Sequence, residues 1–262
     1  MHRRHLCLFC DNPADSKEDV LPVWIQEKVK RGKRPILIHG FSGDRPIIAE
    51  GMKSNLKTAC VCYDCNTGWM SRLEGESRLI LGPLMEDIGL QLAGDQQLTI
   101  AKWAVKTAIT AESFNRKTRK LFYTRDECAR FKESWDFPPH TQVWLGRYVG
   151  SFDIGIFGID GWDEHPKHPE VTHSYITTLT FKRVAIQVIS IHARKNLQGG
   201  IINIKLVPGR WRESLLELRP SGSLFWPPSL SFVDEGELSL RWLAQRFSIG
   251  RSPQRPLKPD ER

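Results

Sequence analysis

Apolar positions recur along this chain with two different periods, and the switch between them falls near its middle. From 66 to about 81 the spacing is helical: Trp69, Leu73 and Ser77 share one stripe and Met70 widens it. A second helix is predicted from about 99 to 114, with Ile100, Trp103, Ala104, Thr107, Ala108 and Ala111 on its core side. A shorter one follows near 125–133, before Pro138-Pro139. Beyond that the period falls to two, and strands are predicted over 143–149, 153–159, 175–181, 183–192 and 201–206. Residues 239–247 read as a closing helix.

The first eighty residues carry shorter signals. Residues 20–25 begin extended, because a residue before proline is pushed out of the α region, and Pro22 then suits the first turn of a helix to about Lys30. Strands are predicted at 35–39 and at about 57–61. This pattern gives an α+β fold class with three parts: an N-terminal module over 1–82, a mixed helix and antiparallel-sheet domain over 83–247, and a disordered basic tail over 248–262.

Composition changes the picture in two ways. Thirty-eight Lys and Arg against 30 Asp and Glu leave a net charge of +8, which favours a polyanionic partner, with nucleic acid the first expectation and acidic lipid the second. No run approaches the roughly 18 apolar residues of a membrane span, and the first ten residues lack the apolar stretch of a secretory signal, so a cytoplasmic protein is expected.

Chemistry concentrates in the cysteines. Four of the six form two C-x-x-C pairs, Cys7 with Cys10 and Cys62 with Cys65. Two such pairs can place four thiolates tetrahedrally around Zn²⁺ at about 2.3 Å each, and a closed site of that kind is structural, with no open position for substrate. Cys60 and Cys128 read as small buried residues.

The second pair runs into Asn66-Thr-Gly-Trp69-Met70-Ser-Arg-Leu-Glu74, and the first precedes Ser16-Lys-Glu18-Asp19-Val-Leu-Pro22. With Trp103–Ala108 and Val143–Tyr148, these segments resemble the HNH endonuclease superfamily, more narrowly a bacterial and phage group carrying C-N-x-G-W-M-S-x-L-E. The resemblance implies a ββα-metal finger, shut by structural zinc, that holds Mg²⁺ or Mn²⁺ for phosphodiester hydrolysis. On that mapping Glu18 takes the acidic position, Asp19 the position of the general-base histidine, Pro22 the proline and Asn66 the helix ligand. Catalytic residues are then Asp19, Glu18 and Asn66, with Asp19 and Asn66 holding the catalytic cation.

The departure at Asp19 matters. A free aspartate ionises near pH 3.9, too low for efficient proton abstraction at neutral pH, so Asp19 suits a cation ligand better than a base. A weakened nuclease is one expectation; a non-catalytic zinc module that binds nucleic acid or protein is a second, and a purely structural zinc domain supporting an unknown activity in residues 83–247 a third. Neighbours on a regular strand face opposite ways, so Glu18 and Asp19 meet one cation only across a kink. Asn66 equally suits a helix N-cap. Trp69 and Met70 read as core, and Arg72 with Glu74 as a surface ion pair. His2, His5 and the His-rich stretch 163–173 read as solvated side chains rather than ligands, and His39 at a strand end is ambiguous; the basic run Arg116, Lys117, Arg119 and Lys120 reads as a solvated face, with phosphate contact the alternative in a nuclease fold.

Overall fold

The computed structural model describes residues 5–29, 36–42, 45–51, 57–113, 120–150, 153–160, 171–193, 200–206, 214–232 and 247–253. The predicted loop 163–170, Arg116, Lys117 and Arg119 of the basic run, His2 and residues 239–246 of the predicted closing helix lie outside these.

The fold is mixed α+β. Strand β1 (Ser16–Asp19) leads to helix α1 (Val23–Val29), then to the hairpin β2 (Ile36–Ser42) and β3 (Arg45–Gly51). Strand β4 (Lys57–Val61) returns to pair antiparallel with β1 and delivers the chain to the second C-x-x-C. Helix α2 (Tyr63–Cys65), a wider π-turn over Asn66–Met70 and helix α3 (Ser71–Met85) follow in direct succession, kinked at Gly68. Gly68 sits at the kink with ψ −108°, so the turn widens where no side chain obstructs it. The helix opens earlier than its apolar spacing predicts because the Cys62 sulfur accepts from the Cys65 N–H and caps it.

After β5 (Leu90–Leu92) comes the long helix α4 (Gly94–Glu112). It too starts ahead of its predicted position: Gln96 Oε1 accepts from the Ala93 N–H at 2.9 Å, supplying half of a capping box where no Ser or Thr stands. Gly94 is required there, since a Cβ would lie 2.2 Å from the Pro220 carbonyl oxygen. Ile100, Trp103, Ala104, Thr107 and Ala108 are buried, and Ala111 is partly so. Helix α5 (Arg125–Ser134) opens on a full capping box, Thr124 with Glu127, and closes on Trp135 in the left-handed region at φ 61°.

The remaining strands are β6 (Gln142–Tyr148), β7 (Ile154–Asp160), β8 (Val171–Phe181), β9 (Val184–Ala193), β10 (Gly200–Leu206), β11 (Leu215–Glu217), β12 (Leu224–Trp226), β13 (Ser231–Phe232) and β14 (Phe247–Pro253). Eight strands form one sheet, ordered β11-β6-β9-β8-β7-β2-β3, with β13 beside β6. Strands β8 and β9 are buried over most of their length, as befits the centre of a sheet covered by α3 and α4. The β2–β3 hairpin, drawn from between the two cysteine pairs, joins this sheet through a parallel pairing of β2 with β7. One continuous hydrophobic core runs from Cys7 to Trp226.

The C-terminal region departs from expectation. Phe247 belongs to a strand rather than to a helix end, and residues 248–253, expected as disordered tail, pair with β10. The cue is the alternation of Phe247 and Ile249 with polar neighbours, a period of two that the flanking prolines and arginines obscure.

Candidate metal centre and the adjoining acidic strand

The first C-x-x-C forms a tight knuckle. Cys7 N–H donates to the Asn12 carbonyl at 2.8 Å and Leu8 N–H to the Cys60 carbonyl at 2.9 Å, so the loop is fastened to itself and to β4. Phe9 N–H points at Cys7 Sγ (3.4 Å) and Cys65 N–H at Cys62 Sγ (3.4 Å), the backbone donors that thiolate ligands need. The four sulfurs of Cys7, Cys10, Cys62 and Cys65 all lie within 4.8 Å of one another. Cys10 Sγ is 3.5 Å from Cys62 Sγ and 3.7 Å from Cys65 Sγ. Sulfurs at the corners of a tetrahedron around one ion, about 2.3 Å from its centre, stand about 3.8 Å apart, whereas a disulfide brings them to about 2.0 Å. All six cysteines are free, and this quartet is the one cluster among the described residues placed to share an ion. The thiols are unlike one another: burial pushes Cys7 up to about 11 and raises Cys65 further, while Cys62 is lowered because the Cys65 N–H and neighbouring thiols outweigh its own burial. Cys60 and Cys128 are buried outside the quartet, and exposed His5 does not join it.

Helix α5 lies against this centre. Arg125 donates to the Cys7 carbonyl (3.4 Å), the Cys10 carbonyl (3.2 Å) and Asp11 Oδ1 (2.7 Å). Two turns further, Lys132 is held above its usual range: burial opposes its charge, but the Cys65, Cys10 and Cys62 sulfurs outweigh that. Trp69 is buried beneath the same helix, edge-on to Phe9, Phe131 and Trp135 at 5.0, 6.2 and 5.5 Å, a core role as its spacing predicts.

The acidic strand β1 sits one step away, and its neighbours face opposite ways. Glu18 turns inward and is 5 % exposed. Its Oε1 accepts from Lys106 Nζ at 3.0 Å, and Lys106 also donates to Glu74 Oε1 at 2.7 Å. Glu74 therefore pairs with a fully buried lysine of α4, not with Arg72 at the surface. Burial, helped by Glu74 and Asp19, holds Glu18 above its usual range against the pull of Lys106. Lys106 itself stays charged, since two carboxylates outweigh its burial.

Asp19 turns the other way. Its Oδ2 meets Lys57 Nζ at 3.2 Å across the β1–β4 pair, while its Oδ1 is buried with no hydrogen-bond partner among the described residues. Asn66, at the head of the π-turn, donates from Nδ2 to Ser16 Oγ (2.7 Å) and the Lys17 carbonyl (3.3 Å). Its side chain thus bolts the helix to β1 instead of capping it. Glu18 and Asp19 thus face opposite ways, and the Asn66 side chain bonds Ser16 and Lys17 rather than either acid.

The residues that sequence reasoning passed over are cations: Lys57, Lys106, Arg125 and Lys132. For Lys106 the signal was present, because it follows Trp103 by three and precedes Thr110 by four on a helix face that is otherwise buried. Arg125 and Lys132 gave none, since their partners lie more than a hundred and more than sixty residues away in the chain. No helix among the described residues is long and apolar enough to cross a membrane. No family model, curated protein or solved structure matches this chain.

Proposed function

We propose that the chain is an HNH-type, divalent-cation-dependent phosphodiesterase acting on DNA, with Cys7, Cys10, Cys62 and Cys65 holding a structural zinc that keeps its ββα-metal finger closed. The observation that carries this reading is the orphaned Asp19 Oδ1. A buried carboxylate oxygen without a donor costs desolvation that a bound Mg²⁺ or Mn²⁺ would offset. The sulfur spacing carries the zinc half of the reading, because it fits a tetrahedral S₄ ion.

In this reading Asp19 and the amide oxygen of Asn66 hold the catalytic cation, which supplies charge stabilisation at the scissile phosphate. Glu18 acts from behind: locked to Lys106, it fixes the strand so that Asp19 faces outward. Asn66 keeps the helix and β1 in register through Ser16 and Lys17. No imidazole accompanies Asp19 among the described residues of β1 and β4, so proton abstraction from water lacks its usual acceptor and the reaction is slow. Lys57 marks where a phosphate oxygen approaches, since its ammonium is half exposed beside Asp19.

A second reading rests on that same Lys57. An ion pair already neutralises Asp19, which suits a scaffold that has kept its zinc and its fold but binds nucleic acid or a protein without cutting. Plasmid nicking with Mg²⁺ or Mn²⁺ separates the two. Cation-dependent nicking lost in Asp19→Ala supports the enzyme; nicking absent from the native chain and gained in Asp19→His supports the silent scaffold. Neither activity, with DNA binding that weakens steeply with salt, also favours the scaffold.

A further inference from the structure

Helix α5 comes from outside the segments that carry the sulfur ligands, yet it presents a cation, Arg125, to them. A zinc ion on four thiolates carries a net charge of −2, and Asp11, Asp15 and Asp64 add more around it: Asp15 accepts from the Tyr63 N–H at 2.8 Å, and Asp64 from Asn12 at 3.4 Å. The guanidinium of Arg125 spans the carbonyls of Cys7 and Cys10 and closes on Asp11. The capping box at Thr124 fixes where this face begins. Phe131 and Trp135 hold it down on Trp69, which follows the second knuckle by four residues.

We infer that Arg125 belongs to the outer shell of the metal centre and sets how tightly it keeps its ion. This rests on the zinc reading above. Arg125 restrains the first knuckle through its two carbonyls. It is a positioning residue, since it does not contact the ion. An S₄ centre without it would release zinc more readily, because the ligands of the first knuckle would be freer to move.

The experiment uses the full zinc-loaded chain, mixed with excess chelator while released zinc is read with a colorimetric dye. Arg125→Met preserves the packed stem and removes the charge and the donors. It is expected to shed zinc about ten-fold faster than the native chain, within the range usual for outer-shell partners. Arg125→Lys keeps the charge without the forked donors and should release zinc at an intermediate rate. Ser134→Ala removes the bond to the Arg130 carbonyl at the far end of α5 and should leave release unchanged. Native-like release from Arg125→Met overturns the inference. So does acceleration in Ser134→Ala equal to that in Arg125→Met, which would assign the effect to helix stability. A native chain that binds no zinc removes the zinc reading itself, and with it this one.

Discussion

Lys106 shows how one buried charge decides several others. It is fully buried and holds two carboxylates, Glu18 from β1 and Glu74 from α3, so three segments distant in sequence meet at one ammonium. Removing one partner of such a pair leaves the rest without compensation, at a cost of about 3–5 kcal/mol. Lys106→Met should therefore lower the unfolding free energy measured in urea by that much, and adding Glu18→Gln should recover part of the loss by removing the stranded charge. Equal stability of Lys106→Met and the native chain would mean that the triad contributes nothing. At this scale the sequence was uneven. The cysteine quartet was readable because ligand spacing is local to each knuckle, whereas the roles of Glu18 and Glu74 depended on a lysine whose partners a helical wheel cannot name.

Elements are joined by a small number of charged clasps. Asp87, in the left-handed region at φ 60° just past α3, receives a forked contact from Arg147 of β6 at 2.8 and 3.0 Å, with a third contact from the same guanidinium. The Arg147 hydrogen bonds hold Asp87 below its usual range against the effect of burial. A depressed carboxyl contributes stability above its unfolded value, near pH 4, and loses it as pH falls through the folded one. Stability should thus decline below about pH 4, and Asp87→Asn, which tolerates the same backbone, should flatten that part of the curve. An unchanged acid limb in the variant would sever the clasp from the acid response. Most element types were legible from period alone, because a stripe at 3.6 or an alternation at 2 reflects burial on one face. Their ends were less so: α4 begins early through a Gln96 side chain, and β14 hides behind prolines and arginines.

At the scale of the whole molecule the described residues share one core, and the cysteine quartet is part of it: Cys7, Cys62 and Cys65 are buried in the same cluster as Trp103 and Phe181. Zinc binding in small S₄ units contributes about 10–16 kcal/mol of folding free energy, so its removal should be felt well beyond the knuckles. Purified chain is expected to carry one zinc, and chelation should lower the thermal midpoint of the entire protein in a single transition. A far-UV signal and midpoint indifferent to chelation would separate the knot from the core. What period and spacing could not reveal at this scale was the destination of β2–β3, since nothing local in residues 36–51 tells an edge hairpin of a large sheet from a hairpin belonging to the knot.

That hairpin has a consequence for the order of events at the ribosome. Cys10 and Cys62 are 52 residues apart, and everything between them hangs as an open loop until the later pair has been made. At about 5–20 residues per second the earlier thiols wait about 3–10 s for their partners. The loop's hairpin waits longer still for β7, a hundred residues downstream, so a nascent chain carries reactive sulfur and a bare strand edge together before either finds its place.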